Sequence, residues 1–452
     1  MRIRTKFCVI TALVALTAVA ASTSEIEAIL ANRVDEGKKA VAIVVGTISP
    51  EGREIVARGT LTKGGSEKVN ADSVFEIGSI SKVFTALLLA DMIERGEVTA
   101  DTPVAKLLPD SVKVPERNGK QITLLDLSMQ ISGLPRMPTN FRPADPENPF
   151  ADYTAAKLYE FLNGYALTRD IGEKYEYSNL GVGLLGFALA RKSGMTYEEL
   201  LRKRILVPLG MTSTSITLSA DQRKRLAIGH DAGLNPVKNW DLDALAGAGA
   251  IRSTVNDMLK FVAANLELTP SPLQAAMRRM RSVHRDTGVP DLEILMAWHR
   301  FNKYGTAIVW HNGGTAGYRT FAGFDMAAKK GVVVLCNTSL DNDDLGRHIL
   351  EAKWPVKKFE APKPEIKVDP TILASYAGEY ALGPATATVT AEGSRLFVQL
   401  TGQPKFELFA SAESEFFLKV VEAQVSFVRD EGGKVTHLVL HQNGANQKAM
   451  RK

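Results

Sequence analysis

"FEIGSISKVFTALLLADMIERGEV", Phe75 to Val98, is the stretch on which the reading of this chain turns. Its run from Ser81 to Arg95 has the apolar content of an amphipathic to fully buried helix. Gly78 sets Ser79 at the N-terminus of that helix, where outward-facing backbone N–H groups favour developing negative charge. A serine there can simply cap the helix, but a cap does not call for Lys82. Offset by three residues, Ser79 and Lys82 share a helix face. Among Ile80, Val83, Phe84, Leu87 and Leu88 an ammonium is desolvated and its pKa lowered, which makes Lys82 a base for the hydroxyl. S-x-x-K alone arises by chance in many chains, so other segments have to decide.

The 452 residues are enough for a large domain and a smaller one. With 45% hydrophobic and 23% charged residues the composition is that of an ordinary globular protein. The formal charge of +5 owes three units to Arg2, Arg4 and Lys6; from residue 22 on, 52 basic residues face 50 acidic ones. No basic stripe with interleaved aromatics appears, so nucleic acid is not an expected partner. "MRIRTK", "FCVITALVALTAV" and "AVA" have the charged, apolar and small-residue order of a secretion signal over residues 1–21. The apolar run is too short to cross ~30 Å of hydrocarbon. A cleaved signal, a secreted or periplasmic location and no transmembrane segment after its removal are the expectations. Cys8 would leave with the signal. Cys336, alone in the buried-strand pattern "GVVVLCN", then permits neither a disulfide framework nor a cysteine metal site.

From Ser24 to about Trp354, strand and helix patterns alternate. "AVAIVVGTI" reads as a strand; "TAAKLYEFLNGY", "SNLGVGLLGFALARKSG" and "STVNDMLKFVAANL" read as helices. "YGTAIVWHNGG", "YRTFAGFDMA" and "KGVVVLCNT" read as consecutive strands, which implies an antiparallel sheet with helices on its faces. The four prolines of "KWPVKKFEAPKPEIKVDP" mark a linker over 355–370 between a domain at 22–354 and one at 371–452. The last segment, with hairpin signals "EGS" and "DEGGK", reads as a small all-β domain, barrel or curled sheet.

Two further motifs are weak when taken singly. "KYEYSNLG" puts the Tyr177 phenol and the Asn179 amide two residues apart; the plainer account is a packed tyrosine with Asn179 capping a helix. "VWHNGGTAGYRTF" ends a strand at His311, Asn312, Gly313 and Gly314, where glycine lets a ligand lie along the strand edge, or simply makes a turn. "GVGLLG" fits G-x-G-x-x-G but follows no strand, and small residues for helix packing explain it better. The seven histidines show no metal-ligand spacing; His230, His284 and His299 are expected at the surface or in a polar core. There is no G-x-S-x-G elbow either.

In combination the motifs are specific. S-x-x-K, then Y-x-N about 100 residues on, then a basic residue and glycine on a late strand, resemble the penicillin-recognising serine hydrolases. These include class C β-lactamases, D-Ala-D-Ala carboxypeptidases and β-lactamase-type esterases. "ITLLDLSMQISGLPRMP", "GEKYEYSNLGVGLLG", "VPLGMTST" and "AGAIRSTVNDMLKF" follow in the family's order, over residues 25 to 350. The resemblance implies an α/β (α+β) fold: an antiparallel sheet flanked by helices, an all-helical half, and a small all-β C-terminal domain. It implies Ser79 as acylated nucleophile, Lys82 as its activator and Tyr177 as proton relay. Gln130 and Asn179 would orient the substrate amide, and His311, Asn312, Gly313 and Gly314 would bind substrate. The N–H groups of Ser79 and Gly314 would form the oxyanion hole. His311 stands where β-lactamases commonly carry Lys, so a substrate carboxylate would meet a weaker anchor that titrates near neutrality. Ile171 precedes Gly172 where the family usually shows Pro. The implied partner is a β-lactam, a D-Ala-D-Ala peptide or an ester, with no cofactor and no metal. An ester substrate, or a protein that only binds cell-wall peptide, are the alternatives.

Overall fold

The computed structural model describes residues 21–452 except 363, 384, 420, 422, 443 and 444. Residues 1–20 of the expected signal, with Cys8, therefore lie outside the described residues. The chain forms two compact units, one ending at Glu360 and the other spanning Ala361–Lys452.

The first unit is built on an eight-stranded antiparallel sheet. Its strands are β1 (Ala42–Ser49), β2 (Gly52–Gly59), β3 (His284–Asp286), β4 (Leu292–Leu295), β5 (His299–Lys303), β6 (Thr306–Gly314), β7 (Arg319–Asp325) and β8 (Lys330–Cys336). Across the sheet they run β2-β1-β8-β7-β6-β5-β4-β3. The hydrophobic centre of β1 pairs with β8, Ile43 opposite Cys336 and Val45 opposite Val334. Both strands are buried on both faces, which is why they read as near-continuous apolar runs. Burial pushes the Cys336 thiol up to about 11, which leaves it inert.

Four helices matter for the site: α1 (Ser81–Glu94), α2 (Asn179–Ser193), α3 (Val255–Asn265) and α4 (Asp343–Leu350). Every residue of α1 from Ser81 to Met92 is buried, so the helix is central rather than amphipathic. Phe84 stacks on Phe261 of α3 at 4.2 Å, and each buried leucine of α1 contributes about 2 kcal/mol by leaving water. Asp91, also buried, is neutralised by Arg95 and Arg204. The other sheet face packs Ile43, Val45, Val332 and Val334 against Leu345 and Ile349 of α4 and against Ile26 and Leu30 of the helix Thr23–Ala31.

The second unit is a closed barrel of eight antiparallel strands between Gly378–Leu382 and Ala445–Arg451. The first strand pairs with the last, Tyr380 opposite Arg451. Gly393 and Gly433, with φ +61° and +79°, make the turns signalled by "EGS" and "DEGGK". The proline-rich stretch has no helix or strand among its described residues from 355 to 369. Lys357 N–H donates to Asp344 Oδ2 at 2.8 Å in the first unit, and Ile366 N–H to Ala410 O at 2.9 Å in the second. Among the described residues no helix is long and apolar enough to cross a membrane.

Candidate active site

Two glycines set the position of Ser79. Gly78, at φ +51°, turns the chain out of the short strand Phe75–Glu76 into one 3-10 turn, Gly78–Ile80, that leads into α1. A Cβ on Gly78 would stand 2.7 Å from Gly314 N, and one on Gly313 would stand 1.9 Å from Ile77 O. The end of β6 therefore lies directly against the Ser79 turn. Thr315 N–H donates to Tyr318 O at 3.2 Å, which makes Gly314 the alternate position with its N–H turned away from β7. Gly314 N thus lies against Gly78, the residue before Ser79.

Lys82 is wholly buried. Its Nζ donates to Ala248 O at 2.7 Å and lies 3.0 Å from Ser79 Oγ. Burial, and then the charge of Arg136, hold its pKa well below the ordinary lysine value. The Ala248 carbonyl is brought there by α2. A Cβ on Gly183 would come within 2.6 Å of Leu245 Cδ2, and one on Gly186 within 2.9 Å of Gly247 Cα. The glycines of "GVGLLG" thus let the 245–248 segment press onto α2 and face α1. A neutral amine that donates to Ala248 O keeps a lone pair free for the Ser79 proton.

Tyr177 completes the group. Its ring centroid is 4.9 Å from Lys82 Nζ and 4.9 Å from Arg136 Cζ. Burial pushes its phenol up to about 12, against a hydrogen bond with Ser79 and the Arg136 charge, so it is protonated at neutral pH. The His311 ring centroid is 6.3 Å from that of Tyr177 and 5.2 Å from that of His299. His299 Nε2 contacts Tyr175 Oη at 2.9 Å, and burial with the nearby Lys82 holds its pKa down to about 4. Among the described residues no three His, Cys, Asp or Glu side chains converge to hold a metal ion.

A family model described as "Beta-lactamase" matches residues 28–353. The chain belongs to the beta-lactamase family. A second model, described as "Domain of unknown function (DUF3471)", matches residues 362–451. Penicillin-binding protein 4* of Bacillus subtilis is 27% identical over 85% of this chain and 88% of its own. The D-alanyl-D-alanine-carboxypeptidase/endopeptidase AmpH of Escherichia coli is 32% identical, over 51% of this chain and 59% of its own. Among solved structures, the beta-lactamase/D-alanine carboxypeptidase of Yersinia pestis superposes with a TM-score of 0.62 at 25% identity, over 73% of this chain and 99% of that one. A class C beta-lactamase reaches a TM-score of 0.63 at 21% identity, which attests the fold. The protein is a serine hydrolase of this family.

Within that family frame, three expectations about individual residues need correction. His311 does not titrate near neutrality: it is fully buried, and desolvation, His299 and Lys82 drive its pKa well below 6.5. Asn312 does not face the site, because successive strand residues alternate sides; its Nδ2 donates to Asp343 Oδ2 of α4 at 2.6 Å. Gln130 is 1% exposed, and its Oε1 accepts the Ser178 N–H at 2.8 Å, so it props the 177–179 turn from beneath. Asn179 remains half-buried at the site, its Nδ2 3.5 Å from Met137 Sδ. The cap of α2 is Ser178, whose Oγ accepts from Gly181 N–H at 2.8 Å, not Asn179. Sequence reading missed Arg136, the Ala248 carbonyl and the placing of His299 beside His311. Arg136 lay inside "ISGLPRMP", where a cation between two prolines was a usable signal.

Proposed function

We propose that this serine hydrolase acts on D-alanyl-D-alanine-type peptides and is acylated at Ser79 by β-lactams. The observation that carries the reading is Ser79 Oγ at 3.0 Å from a wholly buried Lys82 that no carboxylate among the described residues neutralises. Lys82 takes the hydroxyl proton as Oγ bonds to the carbonyl carbon. The oxyanion rests on the N–H groups of Ser79 and Gly314, each worth about 3 kcal/mol of barrier. The C–N bond then breaks, and the proton passes by way of Tyr177 to the leaving amine. Water, deprotonated by the same pair, attacks the acyl ester and frees Ser79. His311 and Asn179 border the bound acyl group, Gly313 lets β6 close on the Ser79 turn, and no metal or organic cofactor takes part. Residues 1–21 are removed on export.

An ester substrate is the second reading. It is favoured by His311, a buried neutral imidazole where a lysine would grip a carboxylate. The test is a time course of intact mass for the protein mixed with a penicillin, beside Ser79→Ala. An adduct on the wild type alone is expected, persisting if the enzyme is a carboxypeptidase and clearing within minutes if it destroys the drug. No adduct, with ester hydrolysis still lost in Ser79→Ala, moves the substrate to esters. A wild type that is neither acylated nor active removes Ser79 as nucleophile.

A further inference from the structure

We propose that Arg136 is the anionic-group anchor of this site and selects substrates that carry a carboxylate; the inference rests on the hydrolase reading above. Recognition of a carboxylate requires a cation that survives in the site. The three nitrogen bases that line it are poor candidates. Lys82 is desolvated and spent on Ala248 O and Ser79 Oγ. His311 and His299 are buried: desolvation, then His299 and Lys82, hold the His311 pKa well below the ordinary histidine value, and desolvation with Lys82 holds that of His299 down to about 4. Arg319, beside Gly314, gives its Nη1 to Thr315 O at 2.7 Å and Tyr318 O at 2.8 Å.

Arg136 differs on every count. It is exposed, its Cζ stands 4.9 Å above the Tyr177 ring, and among the described residues its guanidinium meets no carboxylate or carbonyl acceptor. Its backbone is fixed, because Arg136 O accepts the N–H groups of Asn179 at 3.0 Å and Leu180 at 3.3 Å at the start of α2. The guanidinium therefore sits at a set height over the phenol that neighbours Ser79, with its donor edge unspent. A planar fork of this kind pairs with a carboxylate through two parallel hydrogen bonds. The stacking on Tyr177 orients the fork without using those donors. A substrate whose carbonyl meets Ser79 and whose carboxylate reaches past Tyr177 would be held at both ends.

The test uses two thioesters of one acyl group, with thioglycolate or the uncharged thioglycolamide as leaving thiol, followed by thiol release. The readout is the ratio of kcat/KM for the acid to that for the amide. In Arg136→Ala this ratio is expected to fall ~10-fold or more, the scale for losing one partner of a charge pair, mainly through KM. Arg136→Lys should recover part of it, and added salt should depress the wild-type ratio. An equal loss on both substrates would reduce Arg136 to a positioning residue for Tyr177 and overturn the inference, as would an unchanged ratio. A calorimetric arm separates this from the hydrolase reading. Ser79→Ala should bind the thioglycolate compound, and Ser79→Ala/Arg136→Ala should bind it at least 10-fold more weakly. If the wild type cleaves neither thioester the hydrolase reading falls, and the calorimetric difference alone upholds or rejects Arg136.

Discussion

Lys82 is a buried amine with no carboxylate beside it among the described residues, and most of the proposed chemistry follows from that. An ammonium in its place is costly to desolvate, so burial favours the neutral amine and arginine is the worst substitute. Lys82→Arg is expected to abolish acylation and lower Tm. Lys82→Met should abolish acylation while matching or exceeding the wild-type Tm, because it removes a group that unfolding lets protonate. Acylation rates beside thermal melts check both. His299 at the site and Asp343 on α4 pull in opposite directions. His299 is depressed to about 4, so between that pH and its unfolded value the unfolded chain binds more protons. Its stabilising contribution is full above about pH 6.5 and lost as pH falls, by at most ~3 kcal/mol. Asp343 is raised to about 7 by burial and the nearby Asp341, so the folded chain holds the extra proton. Its contribution is full below about pH 4 and lost as pH rises to 7, by at most ~4 kcal/mol. His311 and Lys82, also held below their unfolded values, act in the same sense as His299, so wild-type Tm should rise between pH 5 and 6.5. His299→Gln should tilt the profile downward with pH, and Asp343→Asn should raise Tm at pH 8 more than at pH 5. A melt series in which the two variants tilt the same way would contradict these assignments.

At the scale of elements, the sequence showed what was local and apolar. α1, α2, α3 and strands β1, β6, β7 and β8 were readable because each is long, buried and bounded by turn residues. β3, β4 and β5 were not, since "HRD", "LEIL" and "HRFNK" are short, and only the pairing of β5 with β6, of β4 with β5 and of β3 with β4 makes them strands. Ser79 and Lys82 were legible for the same local reason: they lie three residues apart, in one turn and the helix it leads into. Tyr177 and His311 could be placed only through the order of motifs, because no spacing tells that α2 and β6 approach α1. Asn312 was misread because a motif was taken as a block where strand alternation splits it. The Ala248 carbonyl has no side chain to announce it. Its position depends on Gly186, and that dependence is testable. In Gly186→Ala the new Cβ meets Gly247 Cα at 2.9 Å, a backbone that can move only by displacing the 245–248 segment. The expected cost is about 1–3 kcal/mol of stability, with kcat/KM falling ~10-fold or more as Lys82 loses its acceptor. Urea melts and hydrolysis rates on the same preparations check it; full activity with reduced stability would detach Ala248 O from the mechanism.

At the scale of the molecule, the two units differ in what holds each together. The first depends on long-range antiparallel pairing around α1, with its proposed site residues drawn from 79 to 314. The second has a core of its own, in which Tyr376 stacks on Phe427 at 4.3 Å and Leu373, Tyr380, Leu408, Val425 and Leu438 fill the barrel. Closure by Tyr380 opposite Arg451 leaves no open edge to aggregate. Residues 361–452 expressed alone should therefore melt cooperatively by circular dichroism and give a dispersed amide spectrum. Ending that fragment at residue 442 removes the strand Ala445–Arg451, exposes two edges and should abolish the transition. In the full chain urea should produce two transitions, and Tyr380→Ala, which empties ~4 kcal/mol of buried aromatic packing, should shift only one of them. A single transition moved as a whole by Tyr380→Ala would mean that the barrel and the hydrolase unit fold as one, and that the boundary at Glu360 is a feature of shape without a counterpart in stability.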